Sequence, residues 1–573
     1  MTCMTLPHLA SLPSWPHCGE DATTADPVGC PGRQVPGESL CLAHLAPTAR
    51  SRHLATLSPG DDIDHRGTAF TDSLLSELLT ALHDPTSDLT HLGVASFDGA
   101  TFSASARFDN ATFSADTSFR GATFSADAWF RRATFSADAS FDGATFSTAA
   151  SFDRATFSAA ARFPSATFSA AASFDGATFS ADASFTRATF SAAALLGPLL
   201  CRGCLDLSGA VFVTPVTIEA AAAEVRCVRT RWESTATLRL RYTEVNLSDA
   251  VVTQPIAVTA HTAPFATLSG TVVDETALVA GTTGGQRDPG VRISSLRGID
   301  AAHLVLTNTD LTGCRFFGAF HLDQLRLEGE TVFAHTPKGT DVRRGIPLWW
   351  TDRLALAEEH HWRALHDHRP CLRAGWTPAP AQPGPAACPP GPPALAALYR
   401  QLRKAFEDGK DEPGAADFYY AEMEMRRLDR RPRRKRAERG LLTAYWALSG
   451  YGLRASRAVA WLLLAMTATV LAMMLCGLPD DDPKPESTGK VTGQDIRLTT
   501  DTPSPVNPSG PLHERVSTKR FEKSLRVVMN SVLFRSSEQN LTTFGTYTEM
   551  ASRLTEPVLL GFAALALRGR VKR

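Results

Sequence analysis

The sequence predicts a mainly β chain: a repeat solenoid, then an α-helical hairpin, then a C-terminal transmembrane hairpin. Three observations predict it. A Phe recurs every five or six residues from Phe97 to Phe190. Residues 458–478 form an uncharged, mostly apolar run, and residues 557–567 form a second apolar stretch followed by a basic tail.

The repeat carries the most information. Eighteen Phe residues between 95 and 190 each follow a small residue by two positions, as in Ala95-Ser96-Phe97 and Ala100-Thr101-Phe102. Thr117 stands where Ala is usual. A period this short makes each unit one strand and one corner, which can bury its Phe only against identical units above and below. Alternation of five and six gives coils of about 22 residues, and with strands roughly 4.8 Å apart the array makes four to five coils, a rod of about 20 Å.

The A-x-F-x-x unit, carried by Phe97, Phe102, Phe108, Phe113 and onward to Phe190, resembles the pentapeptide-repeat family, including its bacterial membrane-anchored members. The resemblance implies a right-handed quadrilateral β-helix. Coils of that family run about 20 residues, so the extra residue here bears on corner geometry. Weaker copies continue in Leu205-Asp206-Leu207-Ser208-Gly209-Ala210-Val211-Phe212 and in Thr309-Asp310-Leu311-Thr312-Gly313-Cys314-Arg315-Phe316.

The chain then divides as follows. Residues 1–90 are a Cys/His-containing extension, 91–200 the regular array and 201–335 a degenerate β-rich continuation. A capping helix lies within 345–374, a stiff Pro-rich linker spans 375–393, and a juxtamembrane αα-hairpin with apolar residues at helical spacing covers 394–440. The first span is 458–478, an external loop is 479–549, and a second span is 550–568.

Global charge names no partner, since the net charge is −1 and 43% of residues are hydrophobic. Some relatives by resemblance imitate the acidic surface of DNA, but Asp and Arg nearly balance in the repeats. A phosphate mimic needs excess negative charge, so neither nucleic acid nor a gyrase-type partner is expected. The outward positions Asp98, Arg120, Arg131, Arg132, Arg154 and Arg187 vary while the inward Phe is constant, and form the candidate binding surface.

Residues 458–478 are long enough to cross a hydrocarbon core about 30 Å thick. The basic run 426–436 before them marks the cytoplasmic side, which places the N-terminal domain in the cytoplasm at the cell membrane, near lipid headgroups. A basic tail at 568–573 calls for a return crossing, with the helix starting near Met550. Thr542-Thr543-Phe544-Gly545-Thr546-Tyr547, between the two apolar segments, resembles the pore module of potassium channels, although a filter uses two glycines around a Tyr and this segment has one.

Three clusters could carry chemistry. Cys18, Cys30, Cys41 and His44 are ligand types for structural zinc, with Cys41 and His44 one turn apart; residues 1–10 have no signal-peptide pattern, and reduced cytoplasmic thiols remain available to a metal. Cys201-Arg202-Gly203-Cys204 is a lone C-x-x-C that inward packing explains equally well, as it does Cys314. Glu358-Glu359-His360-His361 lacks the helical-turn spacing of metal-hydrolase histidines. No Walker loop, dinucleotide fingerprint, G-x-S-x-G elbow or kinase set is present. The expectation is a non-catalytic protein-interaction scaffold, with the bilayer and a protein of unknown identity as partners, no cofactor except the candidate zinc, and self-association left open. The alternatives are a channel-like transport protein regulated by its β-helix and a metal-dependent enzyme.

Overall fold

The computed structural model describes residues 13–24, 26–268, 270, 272–275, 290–337, 340–343, 346–349, 351–366, 375–378, 389–429, 436–480, 484–492, 495–501, 503–511, 513, 515–533, 535–536 and 539–571. They form two compact units, Met1–Ala415 and Ala416–Arg573.

The first unit is built on a right-handed quadrilateral β-solenoid of about 10 turns. Each regular coil contributes four two-residue strands, and every strand pairs in parallel with its equivalent one coil away. Thr123 pairs with Thr101 below and Thr145 above, a step of 22 residues. The small residue and the Phe of each unit point inward and are buried. Thr117 keeps its inward place because its hydroxyl donates to Ala115 O at 3.2 Å.

Two kinds of corner explain the alternating spacing. Within the five-residue steps the chain turns tightly, with the second residue beyond Phe at positive φ: Gly99, Asn110, Gly121, Arg132, Gly143, Arg154, Ser165, Gly176 and Arg187. The six-residue steps use the extra residue and turn without that conformation. Past Phe190 the wider corners give way to long strands, Ala194–Asp206 and Val216–Arg226. The coil then shortens, since Val211 pairs with Arg231 and Arg231 with Val251, 20 residues each time.

The solenoid begins earlier than the sequence predicts. Ile63 pairs with Ala95 and Phe70 with Phe102, so a first coil starts at Ile63, inside the expected N-terminal extension. His65 takes the inward Phe position of that coil, which hides the repeat signature. Helix α2 (Asp72–Ala81), capped by Thr71 accepting from Leu74 N at 3.3 Å, interrupts the coil before Leu92 rejoins the stack beneath Phe113. Ahead of it stands the short helix α1 (Pro47–Leu54).

At the far end Asp310 bridges to Val332. Helices α3 (Ala357–His366) and α4 (Pro392–Asp408) cover this edge. The Glu358 carboxylate accepts from the edge amides of Phe316 and Phe317, the latter at 3.0 Å. Glu359 receives Arg353 at 2.6 Å, Arg363 at 2.7 Å and the Tyr399 hydroxyl. Lys404 pairs with Asp323 at 3.1 Å. Most of the expected Pro-rich linker lies outside the described residues, as does 430–435 of the basic run.

The second unit contains α5 (Glu412–Leu428), most of which belongs to it, α6 (Arg436–Ser449), α7 (Ala455–Ala472, continued by a wider turn to Gly477), a β-hairpin (Glu486–Thr492 with Asp495–Asp501), α8 (Thr518–Val532) and α9 (Thr543–Val571). Two stretches, Ala455–Gly477 and Thr543–Leu567, are long and apolar enough to cross a membrane by length and composition. They lie side by side. Gly477 and Gly545 bring the backbones together, and Thr469 donates to Glu556 at 2.9 Å. Arg520 and Arg515 satisfy carbonyls at the end of the first, Arg520 reaching Met474 O at 2.9 Å and Leu478 O at 2.8 Å, and Arg515 reaching Leu475 O at 2.9 Å. Arginines at a helix C-terminus also favour its partial negative charge. The second stretch starts before Met550, within the segment read from sequence as external loop.

Candidate metal centre and surface ladders

A Cys/His knot precedes the first coil. Two short antiparallel bridges, His17 with Arg33 and Gln34 with Cys41, fold the chain back on itself. Cys18 N donates to Gly32 O at 2.8 Å and Cys30 N to Glu20 O at 2.8 Å, which brings two cysteines 12 positions apart onto one side. A turn after Cys41, in which His44 N donates to Cys41 O at 3.0 Å, swings His44 back over Cys41. The ligand atoms of Cys18, Cys30, Cys41 and His44 thus all lie within 4.8 Å of one another. Cys30 Sγ and Cys41 Sγ are 3.8 Å apart, Cys41 Sγ and His44 Nδ1 3.5 Å, and Cys18 Sγ and His44 Nδ1 3.4 Å. Burial pushes the Cys30 thiol up and the Cys41 thiol up to about 12.

The charged surface resolves into two separate columns. Asp98, Arg120 and Arg187 sit on the corner that follows Phe97, Phe119 and Phe185. Arg131, Arg132 and Arg154 sit on the alternate tight corner, after Phe130 and Phe152. The six candidate residues therefore do not share one face. Two of the arginines pair along the stack: Arg131 clasps Asp109 through Nε at 3.0 Å and Nη2 at 3.1 Å while its guanidinium lies over Trp129 at 4.8 Å. Arg120 N donates to Asp98 at 3.1 Å and its side chain reaches Asp142 at 3.8 Å. Arg162 and Asp138 pair at 2.9 Å. Part of the surface charge is thus engaged within the stack, each exposed pair contributing about 0–1 kcal/mol.

Between the corners lie flat faces. Thr101, Thr123, Thr145, Thr167 and Thr189 stand in register on one, and Thr112, Thr134, Thr156 and Thr178 on another. These hydroxyl ranks repeat at the coil spacing and were legible only as part of the repeat.

The remaining clusters are packing. Cys201 is buried at an inward position with its thiol 3.5 Å from Ala181 O, and burial pushes it up to about 12. Cys314 is likewise buried and pushed up. Such thiols stay protonated and unreactive. Burial raises Glu359, but Arg353 and Arg363 outweigh it and hold the carboxyl at about 2. Burial lowers His361 to about 4, and His360 donates from Nε2 to His335 O, 3.0 Å away. Thr543–Tyr547 form the first turns of α9, so their carbonyls belong to a helix and not to an extended filter.

A family model for pentapeptide repeats, in 9 copies, matches residues 97–145, 122–167 and 141–189. No curated protein and no solved structure matches the chain. Residues 97–189, with their two-residue strands and inward Phe in parallel register, belong to the pentapeptide-repeat family.

Proposed function

We propose that the chain is a membrane-anchored, non-catalytic scaffold whose β-solenoid binds another protein at the cytoplasmic face of the cell membrane. The observation that carries this reading is the union, in one chain, of a regular solenoid and two apolar helices whose outer sides are left uncovered. Leu463, Leu464 and Leu471 on α7 and Val558, Leu565 and Leu567 on α9 are exposed, as side chains that face lipid would be. The basic residues before α7 argue for a cytoplasmic first unit.

The recognition surface in this reading is one of the two flat Thr faces, whose hydroxyls repeat in register while the corner charges differ from coil to coil. A partner would dock across several coils and read a repeated hydroxyl pattern, not a single pocket. The test is site-specific photo-crosslinking in cells from Thr145 and Thr156, followed by reconstitution with the purified partner. The expected result is one discrete adduct at the membrane, lost in Thr145→Arg or Thr156→Arg. Absence of an adduct from both ranks, with the protein folded and membrane-bound, contradicts the scaffold reading.

A further inference from the structure

We propose that Cys18, Cys30, Cys41 and His44 bind one Zn²⁺, and that the resulting knot is the N-terminal cap of the solenoid. The geometry is specific. A tetrahedral zinc with Zn–S of about 2.3 Å and Zn–N of about 2.0–2.1 Å requires S···S edges of about 3.8 Å and S···N edges of about 3.6 Å. The observed edges are 3.8 Å for Cys30 to Cys41, 3.5 Å for Cys41 to His44 and 3.4 Å for Cys18 to His44. The cysteines are unbonded to one another, and a sulfur separation of 3.8 Å far exceeds a disulfide's roughly 2.05 Å.

The surroundings suit thiolates. Gly32 N points at Cys30 Sγ from 3.4 Å, and a Cβ on Gly32 would stand 2.8 Å from Cys41 Sγ and 3.2 Å from Cys30 Sγ. The backbone is thus drawn close around the sulfurs, with a donor aimed at one of them. Three sulfurs and one imidazole nitrogen select zinc over the hard cations. Binding exchanges three thiol protons for the metal: three S–H bonds break, three Zn–S and one Zn–N bond form, and three protons leave to solvent.

Among the described residues the knot has little else to hold it. Its buried apolar side chains are few, chiefly Val28, Val35, Leu42 and Leu45, and so small a core needs a crosslink or a metal. What it holds in place is the edge of the Phe ladder. Arg33 N donates to Arg66 O at 2.8 Å, the Arg33 side chain pairs with Asp64 at 3.1 Å, and Arg66 lies over the Trp15 ring at 4.9 Å. Pro31 O presses on the first corner, 2.4 Å from where a Cβ on Gly67 would be. Solenoids need such caps because an open end exposes unpaired strand edges.

The experiment uses the untagged full-length chain, purified in detergent with thiols reduced. Elemental analysis should find one zinc per chain, and cobalt replacement should give the ligand-field bands of a tetrahedral ion together with thiolate-to-cobalt charge transfer. Cys41→Ser should lower zinc content at least tenfold, whereas His44→Cys, which keeps four ligands, should retain it and guards against mere misfolding. Stripping the metal should speed hydrogen exchange at least tenfold at the amides of Ile63, His65 and Gly67, which bond to Val94, Ser96 and Asp98. Zinc below a tenth of an equivalent with no cobalt spectrum, or zinc unaffected by Cys41→Ser, overturns the site. Unchanged exchange in the first coil after metal removal overturns its role as cap.

Discussion

Phe113 and Phe135, one coil apart, lie with ring planes 2° from parallel and centroids 4.7 Å apart. Aromatic pairs favour offset or edge-to-face arrangements with centroids about 4.5–7 Å apart, and strand spacing sets a parallel stack at the short end of that range in every column. Edge-to-face contacts with neighbouring columns add to it: Phe135 meets Phe141 at 6.0 Å and 81°. Each ring therefore belongs to a column and to a lattice across the core. Phe135→Ala should cost about 3–5 kcal/mol, and Phe135→Leu no more than about 1.5 kcal/mol. Hydrogen exchange of the full chain in detergent checks this, with the loss of protection centred on the coils around residue 135.

Gly67 and Gly143 have the same φ of 66°, but a Cβ at Gly143 meets open space while one at Gly67 would stand 2.4 Å from Pro31 O. Alanine at either carries the left-handed penalty of about 1–2 kcal/mol. Gly67→Ala must also push the knot off the first coil. Its loss in thermal stability should exceed that of Gly143→Ala, and limited proteolysis should cut within residues 13–62 only in the Gly67 variant. Equal losses with no cleavage contradict the contact between knot and coil.

His65 is buried against Phe70 and Phe97, with neither ring nitrogen hydrogen-bonded. Burial first, then His53, lowers its pKa to about 4, and Asp64 opposes them weakly. The unfolded chain takes up the proton near pH 6.5 and the folded chain near pH 4. Stability therefore falls as pH drops through that window, by about 3 kcal/mol once both limits are passed. His65→Phe should be more stable at pH 5 and lose this component. Comparing the two chains at equal metal loading isolates it from any titration of the knot.

The repeat was legible because its signal is local: a small residue and a Phe at fixed spacing declare the strand, and the alternation of five and six declares the 22-residue coil. The first coil was not legible, since His65 replaces the Phe and α2 splits the coil after Phe70. Shortening to 20 residues beyond Phe212 was equally hidden, because Trp232 and Val252 occupy the column without a repeating neighbour. The residue types of the Cys/His knot could be read. Their convergence could not, as it depends on bridges between His17 and Arg33 and between Gln34 and Cys41. Glu358 was visible only as part of an acidic pair; its place at the Phe316 and Phe317 amides follows from tertiary docking.

Gly477 and Gly545 set the approach of the two apolar helices. A Cβ on Gly545 would lie 2.2 Å from Gly477 O, whereas one on Gly561 of the same helix meets nothing within 4 Å. Gly561→Ala should be neutral or stabilising by up to about 1 kcal/mol through helix propensity. Gly545→Ala should destabilise by about 1–3 kcal/mol because the backbones must part. Thermal unfolding of the purified protein in one detergent compares them directly.

The position of the two chain ends decides whether the solenoid is held at the cytoplasmic face by a two-span hairpin. Reporters active on only one side of the membrane would be fused before Met1 and after Arg573. Both ends are expected in the cytoplasm. Ends on opposite sides would leave a single crossing and contradict the hairpin, and both ends outside would contradict the cytoplasmic solenoid.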